Sequence, residues 1–188
     1  MKLRTGITFA IILAVTAIGF VLGCGRSSAS QADEASPEAS ATPKTAVAAS
    51  ANDAVFDGVK IEKAEEEWKK LLTPAQFYIL REDGTDEPYK SQYHDNKVKG
   101  DYYCAACRLK LFSSTNKYDS GTGWPSFWQP ANEKNVIEKE DRSLSETRTE
   151  VECARCGSHL GHVFDDGPKP TGLRYCINGT ALKFEKAK

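Results

Sequence analysis

The 188-residue chain has no excess of charge of either sign: 25 Lys and Arg stand against 26 Asp and Glu, a net charge of -1. It therefore lacks the basic footprint that nucleic-acid binding needs, and it has no acidic run to solvate a partner. Six cysteines are too few for a small domain held together by disulfides. No internal repeat is visible. Residues 25 to about 57 contain no aromatic residue until Phe56. They are rich in Ala, Ser, Pro, Thr and Glu, and such a stretch cannot bury enough apolar surface to offset its ordering entropy. The length allows one domain and a tail.

What is present begins with an address. Lys2 and Arg4 precede an uncharged, apolar run from Thr5 to Leu22. A basic end, an apolar stretch and small residues near a cut site are the layout of a secretory signal peptide. The run is also near the lower limit for spanning a bilayer. Val21-Leu22-Gly23-Cys24 resembles a bacterial lipoprotein box, with Cys24 as the lipidated first residue of the mature chain. Lipid attachment, an uncleaved anchor and simple secretion stay open, with lipidation favoured. The division expected is a signal peptide or anchor over residues 1–23, a disordered tether over 24–57, and a domain over 58–188 outside the cytoplasm, held to the cell envelope membrane through the N-terminus.

The domain opens with helical periodicity. Ile61, Ala64, Trp68, Leu71 and Leu72 recur at helical spacing between charged residues. Thr73-Pro74-Ala75-Gln76 has a capping residue, a proline suited to the first turn and a glutamine where a capping box needs one. Phe77, Leu80 and Tyr78 are then expected on the core side. Afterwards the periods become short. Tyr102-Tyr103, Val136-Ile137, Glu150-Val151-Glu152, Leu160 to Phe164, Leu173 to Asn178 and Ala181 to Phe184 read as strands separated by Gly, Pro, Asn and Asp. Short helices followed by many short strands predict an α+β, mainly β fold with antiparallel sheets.

Cys104-Ala-Ala-Cys107 and Cys153-Ala-Arg-Cys156 are two CxxC pairs in one small domain. Four thiolates arranged this way suit one structural Zn2+ per chain, which would contribute to folding. The competing reading is two disulfides, which an oxidising compartment favours. One thiol is left in the domain, Cys176. On a strand, Leu173, Tyr175 and Ile177 share one face, and Arg174, Cys176 and Asn178 the other. The guanidinium of Arg174 is expected to lower the thiol pKa. Only three histidines occur, two of them in His159-Leu-Gly-His162; Gly161 can host a bulge that brings both rings to one side. Gly121 to Trp128 is an aromatic segment held by Gly and Pro, suited to an apolar wall for a small substrate group.

Together these motifs resemble the B-type methionine sulfoxide reductases, which act on the R epimer. The residues that carry the likeness are GTGWPSF at 121–127, CARCGSHLGHVFDDGP at 153–168 and GLRYCINGTALKF at 172–184, with YYCAACRLKLFSSTNKYDSG at 102–121. The resemblance implies a zinc-containing, β-tent-like fold and repair of oxidised methionine, peptide-bound or free. It implies Cys176 as nucleophile and sulfenic acid carrier, with His159 and His162 as proton donors. Arg174 favours the thiolate and Asn178 orders the site. Trp124, with Phe127, receives the substrate, and the protein acts as a monomer. Two positions depart from the family pattern. Thr122 stands where many members carry a resolving cysteine, so the implied reductant is a thioredoxin-like protein or a small thiol acting directly on Cys176. Asn178-Gly179-Thr180-Ala181 replaces the more usual Asn-Ser-Ala-Ser. A zinc-stabilised binding module with an aromatic cage would keep Trp124 and the four ligands without needing Cys176.

Overall fold

A computed structural model describes residues 55–188. Thr73 caps the second helix, α2 (Pro74–Arg81), in the expected way. Its Oγ1 accepts the Gln76 N–H at 3.2 Å, and Gln76 Oε1 accepts the Thr73 N–H at 3.1 Å. Phe77, Ile79 and Leu80 turn inward; Tyr78, expected on the core side, is 52% exposed. The first helix, α1 (Glu65–Leu71), is shorter than its apolar pattern. The backbone of Ile61 is occupied elsewhere, donating to the Arg155 carbonyl at 2.7 Å, so the helix starts only at Ala64. Trp68 and Leu72 are buried, while Leu71 faces solvent.

Among the described residues the strands that follow are β1 (Gly100–Cys104), β2 (Lys110–Ser113), β3 (Lys117–Tyr118), β4 (Ser126–Phe127), β5 (Val136–Asp141), β6 (Arg148–Cys153), β7 (His159–Phe164), β8 (Arg174–Ile177) and β9 (Leu182–Lys186). They form a three-stranded sheet, β2-β1-β9, and a six-stranded sheet, β3-β4-β8-β7-β6-β5. Every pairing between them is antiparallel. The fold is α+β and mainly β, as expected. Strands β3 and β4 were not legible because two residues are too few for alternation to show, and β2 because it buries the adjacent Leu111 and Phe112.

An aromatic seam joins the sheets. Phe112 of β2 stacks on Phe127 of β4 at 4.4 Å, and Tyr102 of β1 meets Phe127 edge-on at 5.1 Å. These rings, together with Tyr175 and Leu111, are buried in the hydrophobic core, where removal from water stabilises the fold.

The expected bulge lies on β7. Val151 pairs with Gly161 and Glu152 with His159, so Leu160 is the extra residue. Gly161 has φ 152, and a Cβ there would meet the Cys176 carbonyl oxygen at 2.1 Å. Only glycine lets β8 come this close.

Phe56 lies in the stretch read as tether, yet it packs against the core and donates its N–H to Asn135 Oδ1 at 2.7 Å. The ordered fold thus begins slightly before residue 58. The signal or anchor over 1–23, Cys24 and the tether as far as residue 54 lie outside the described residues. Among the described residues, no helix is long and apolar enough to cross a membrane.

Candidate functional site

The two CxxC pairs close matching turns, one between β1 and β2 and the other between β6 and β7. In the first turn the Arg108 N–H bonds the Cys104 carbonyl at 2.9 Å; in the second the Gly157 N–H bonds the Cys153 carbonyl at 2.8 Å. Arg108 and Gly157 have φ of 65 and 64, so the turns share their left-handed residue too. The tertiary fold brings the turns together. The four sulfurs lie within 4.8 Å of one another, with Cys104 to Cys156 at 3.7 Å and Cys107 to Cys153 at 3.5 Å. All are free thiols. Their separations are far beyond the ~2.05 Å of a disulfide. A tetrahedron with metal–sulfur bonds of ~2.3 Å has edges of about 3.8 Å, so the spacing fits a four-thiolate metal ion. Hydrogen bonding to the other three sulfurs and full burial push the Cys104 thiol well up, which a cation would reverse.

The second site is built on one row across the large sheet. Glu150 pairs with His162, His162 with Cys176, and Cys176 with Ser126, so β6, β7, β8 and β4 each place one residue in line. Residues directly opposite in adjacent strands present side chains on the same face, within about 5.5 Å at Cβ. His162 and Cys176 share a cleft of about 200 Å3 with Trp124, Thr122, Arg174, Asn178, Phe164 and Arg148.

Each wall has its own support. Trp124 Nε1 donates to the Asp86 carbonyl at 2.9 Å. Asp86 is held in turn: its N–H donates to Asn178 Oδ1 at 2.8 Å, and its Oδ2 accepts the Thr180 N–H at 2.9 Å. Asn178 also donates to the Leu160 carbonyl at 3.2 Å, so it locks the bulge, the strand end and the tryptophan together. Arg174 makes a bidentate pair with Asp166, at 2.7 Å through Nε and 2.8 Å through Nη2. Such a fork is held in one plane. The same guanidinium lies over the Phe164 ring at 4.3 Å.

Burial pushes the Cys176 thiol above its ordinary value; Arg174 and a hydrogen bond with the Thr122 side chain pull the other way without cancelling it. Arg174 thus lowers the thiol pKa as expected, but burial outweighs it. The guanidinium is shared with Asp166, whose charge opposes it. His162 is pulled below its ordinary value, chiefly by burial, with Asp141 opposing. His162 Nε2 donates to Asp141 Oδ2 at 2.8 Å, and Arg148 donates to the same oxygen at 2.6 Å. Hydrogen bonds from Ser143 hold the Asp141 carboxyl well below the usual range, so it accepts from the ring and fixes its tautomer.

Two expected residues sit apart from the sulfur. His159 is 3% exposed, donates Nδ1–H to Glu150 at 2.6 Å, and lies edge-on behind His162, with ring centres 5.5 Å apart. It does not line the cleft with Cys176. Phe127 is a correction. It follows Ser126 on a strand, so alternation turns it to the opposite face, where it is fully buried in the aromatic seam. It has no surface to offer a substrate. Asp141, Arg148 and Asp86 were not found from sequence. They come from remote turns and strands, and no spacing links them to Cys176.

Among known proteins, a family model described as SelR domain matches residues 72–186. The "Peptide methionine sulfoxide reductase MsrB" of Methanosarcina barkeri is 57% identical over 125 residues, which cover 66% of this chain and 88% of that protein. A protein of the same name from Leptospira interrogans is 54% identical over 127 residues, 68% of this chain and 97% of that one. Agreement of this extent, over the whole of the two sheets and both cysteine sites, has one meaning: the chain belongs to the SelR family, the B-type methionine sulfoxide reductases.

Proposed function

We propose that this protein reduces the R epimer of methionine sulfoxide, peptide-bound or free, to methionine, with Cys176 as nucleophile. The observation that carries the reading is the direct cross-strand pairing of His162 with Cys176 inside a cleft walled by Trp124. At neutral pH the free site holds a neutral thiol and a neutral imidazole, because burial disfavours both charges. Asp141 takes the Nε2–H of His162, leaving Nδ1 as the base. The thiol proton passes to His162, and the thiolate attacks the sulfoxide sulfur. His162 returns the proton to the oxygen as the substrate S–O bond breaks and an S–O bond to Cys176 forms. Two electrons move from the cysteine sulfur to the methionine sulfur, leaving methionine and a sulfenic acid on Cys176. The substrate methyl group rests against Trp124; Arg174 and Asn178 hold the frame, and His159 steadies His162 from behind. A thioredoxin-like protein or a small thiol then supplies two thiols, giving a disulfide, water and the original thiol. Thr122 in place of a cysteine leaves no partner in the cleft for an internal disulfide.

The metal read for the four-cysteine site is Zn2+, held by Cys104, Cys107, Cys153 and Cys156 as a closed shell. Its contribution is structural. The N-terminal sequence as far as Cys24 supports a lipid on that cysteine and a domain tethered outside the cytoplasm at the cell envelope. Cys24→Ala releasing the protein from the membrane fraction is the expected result; unchanged partition removes that part.

The test of the activity is turnover of separate R and S epimers of a blocked methionine sulfoxide with dithiothreitol. Turnover of R alone supports the proposal. No turnover of either epimer, with zinc bound and Cys176 reduced, sinks it and favours a binding module.

A further inference from the structure

Cys176 is joined to a line of hydroxyl groups for which the reaction above has no use. Thr122 lines the cleft beside Cys176, and its side chain acts to lower the pKa of the thiol. Thr122 Oγ1 and Ser120 Oγ are 2.8 Å apart, Ser120 Oγ and Ser126 Oγ are 2.8 Å apart, and Ser126 Oγ lies 3.2 Å from the Trp124 carbonyl. Ser126 is fully buried and sits opposite Cys176 in the β4–β8 pairing. The turn is fixed from below by the Gly121 N–H on Asp119 Oδ1 at 2.9 Å.

We infer that Thr122, Ser120 and Ser126 form a hydroxyl chain that reverses its hydrogen-bond direction as Cys176 passes between thiol and thiolate, with Thr122 as the catalytic contact to sulfur. The inference rests on Cys176 being the nucleophile. A hydroxyl has one proton to donate, so a line of three points one way at a time. With a neutral thiol, S–H donates to Thr122, Thr122 to Ser120, Ser120 to Ser126, and Ser126 to the Trp124 carbonyl. With a thiolate, Ser126 donates to Ser120, Ser120 to Thr122, and Thr122 to the sulfur anion. No proton travels along the line; only the rotors turn. The bond relinquished is the long one to the Trp124 carbonyl, at 3.2 Å. The one gained is charge-assisted, a stronger class. Because Ser126 is buried, water does not substitute for it. Ser120 and Ser126 are positioning residues: they act on sulfur only through Thr122.

The groups facing the sulfur are Arg174 and its partner Asp166, His162 on β7 and Tyr118 on β3. None changes in the variants that test the idea. The readout is the pH dependence of iodoacetamide alkylation of Cys176 in the intact protein, followed by mass spectrometry. Thr122→Val is expected to raise the midpoint by about one pH unit, a roughly tenfold slower reaction at neutral pH. Ser120→Ala and Ser126→Ala are expected to slow it about threefold, and Thr122→Ser to restore it. An unmoved midpoint in Thr122→Val overturns the inference. So does a shift in Thr122→Val with none in both serine variants, which would leave a lone hydroxyl. Ser120 is only partly buried, so its alanine variant keeps the test open if Ser126→Ala does not fold. Alkylation needs no substrate. Turnover of the R epimer by the unaltered protein with an unmoved Thr122→Val midpoint defeats this inference alone; a shifted midpoint without turnover defeats the proposed reaction alone.

Discussion

Four of the five cysteines among the described residues lie with their sulfurs inside 4.8 Å of one another, whereas Cys176 faces an imidazole, a guanidinium and a hydroxyl. The same thiol is used in opposite ways. At the four-cysteine site the neighbours are other thiols on two copies of one turn, and the group becomes useful when a cation removes its protons. At Cys176 the neighbours come from several strands and loops, and in the proposed reaction the proton is moved rather than lost. A local turn builds each half of the first site and the tertiary fold only joins the halves, whereas the tertiary fold assembles the second residue by residue.

This contrast is sharpest when one cysteine of each kind is removed. Cys153→Ala takes a fully buried ligand from the cluster. With the proposed zinc bound, such a site carries about 10–16 kcal/mol, as much as the whole stability of an ordinary domain. The expected outcome is loss of the cooperative thermal transition, and a strong chelator should do the same to the unaltered protein. Cys176→Ser should keep stability within about 1 kcal/mol and lower kcat at least ~10^3-fold. A folded Cys153→Ala protein, or an unfolded Cys176→Ser one, would erase the distinction between the sites.

The difference also explains what the sequence made legible. Both CxxC pairs, the capping box at Thr73 and the bulge at Gly161 could be read because each lies within a few consecutive residues. The alternation of Arg174, Cys176 and Asn178 against Tyr175 and Ile177 was legible for the same reason. Phe127 was misassigned because a strand as short as β4 shows no period, so nothing in the sequence told which face it takes. The clamp on His162 was invisible. Asp141 closes β5 and Arg148 opens β6, and only the hairpin between them sets both against the ring. The effect of Arg174 on Cys176 was legible, whereas burial, which outweighs it, is not written in the neighbouring residues.

Asp141 offers a second way to probe the tertiary site. Asp141→Asn should lower kcat/KM about 10^2-fold, because the amide no longer enforces one tautomer of His162. The pH profile gives the sign. Neutral His162 must accept the thiol proton, so activity falls as pH drops through its pKa, already below 6.5 through burial. Asp141 holds that pKa up, so its loss should carry the acid limb to still lower pH. An acid limb that stays in place would show that Asp141 is only a brace for the hairpin.

The smallest effect concerns a residue that touches neither sulfur site directly. Gly179 follows Asn178, which steadies the cleft, and departs from the serine usual at this place. A Cβ on Gly179 would meet Ser91 Oγ at 1.6 Å and Ser91 Cβ at 2.5 Å. The 88–95 segment therefore packs closer to the strand end than a side chain at 179 permits. Tyr89 of this segment donates its hydroxyl to the Gly121 carbonyl at 2.6 Å, beside Thr122. Gly179→Ser should destabilise the fold by about 1 kcal/mol, since Ser91 Oγ can swing away but its Cβ cannot leave without the backbone. Ser91→Gly in the same chain should recover most of that loss, giving a coupling of similar size in a double-mutant cycle. The four-cysteine site should keep its metal affinity in all three variants. If the two changes simply add, the close approach of Ser91 is not what excludes a side chain at 179, and the 88–95 segment packs independently of it.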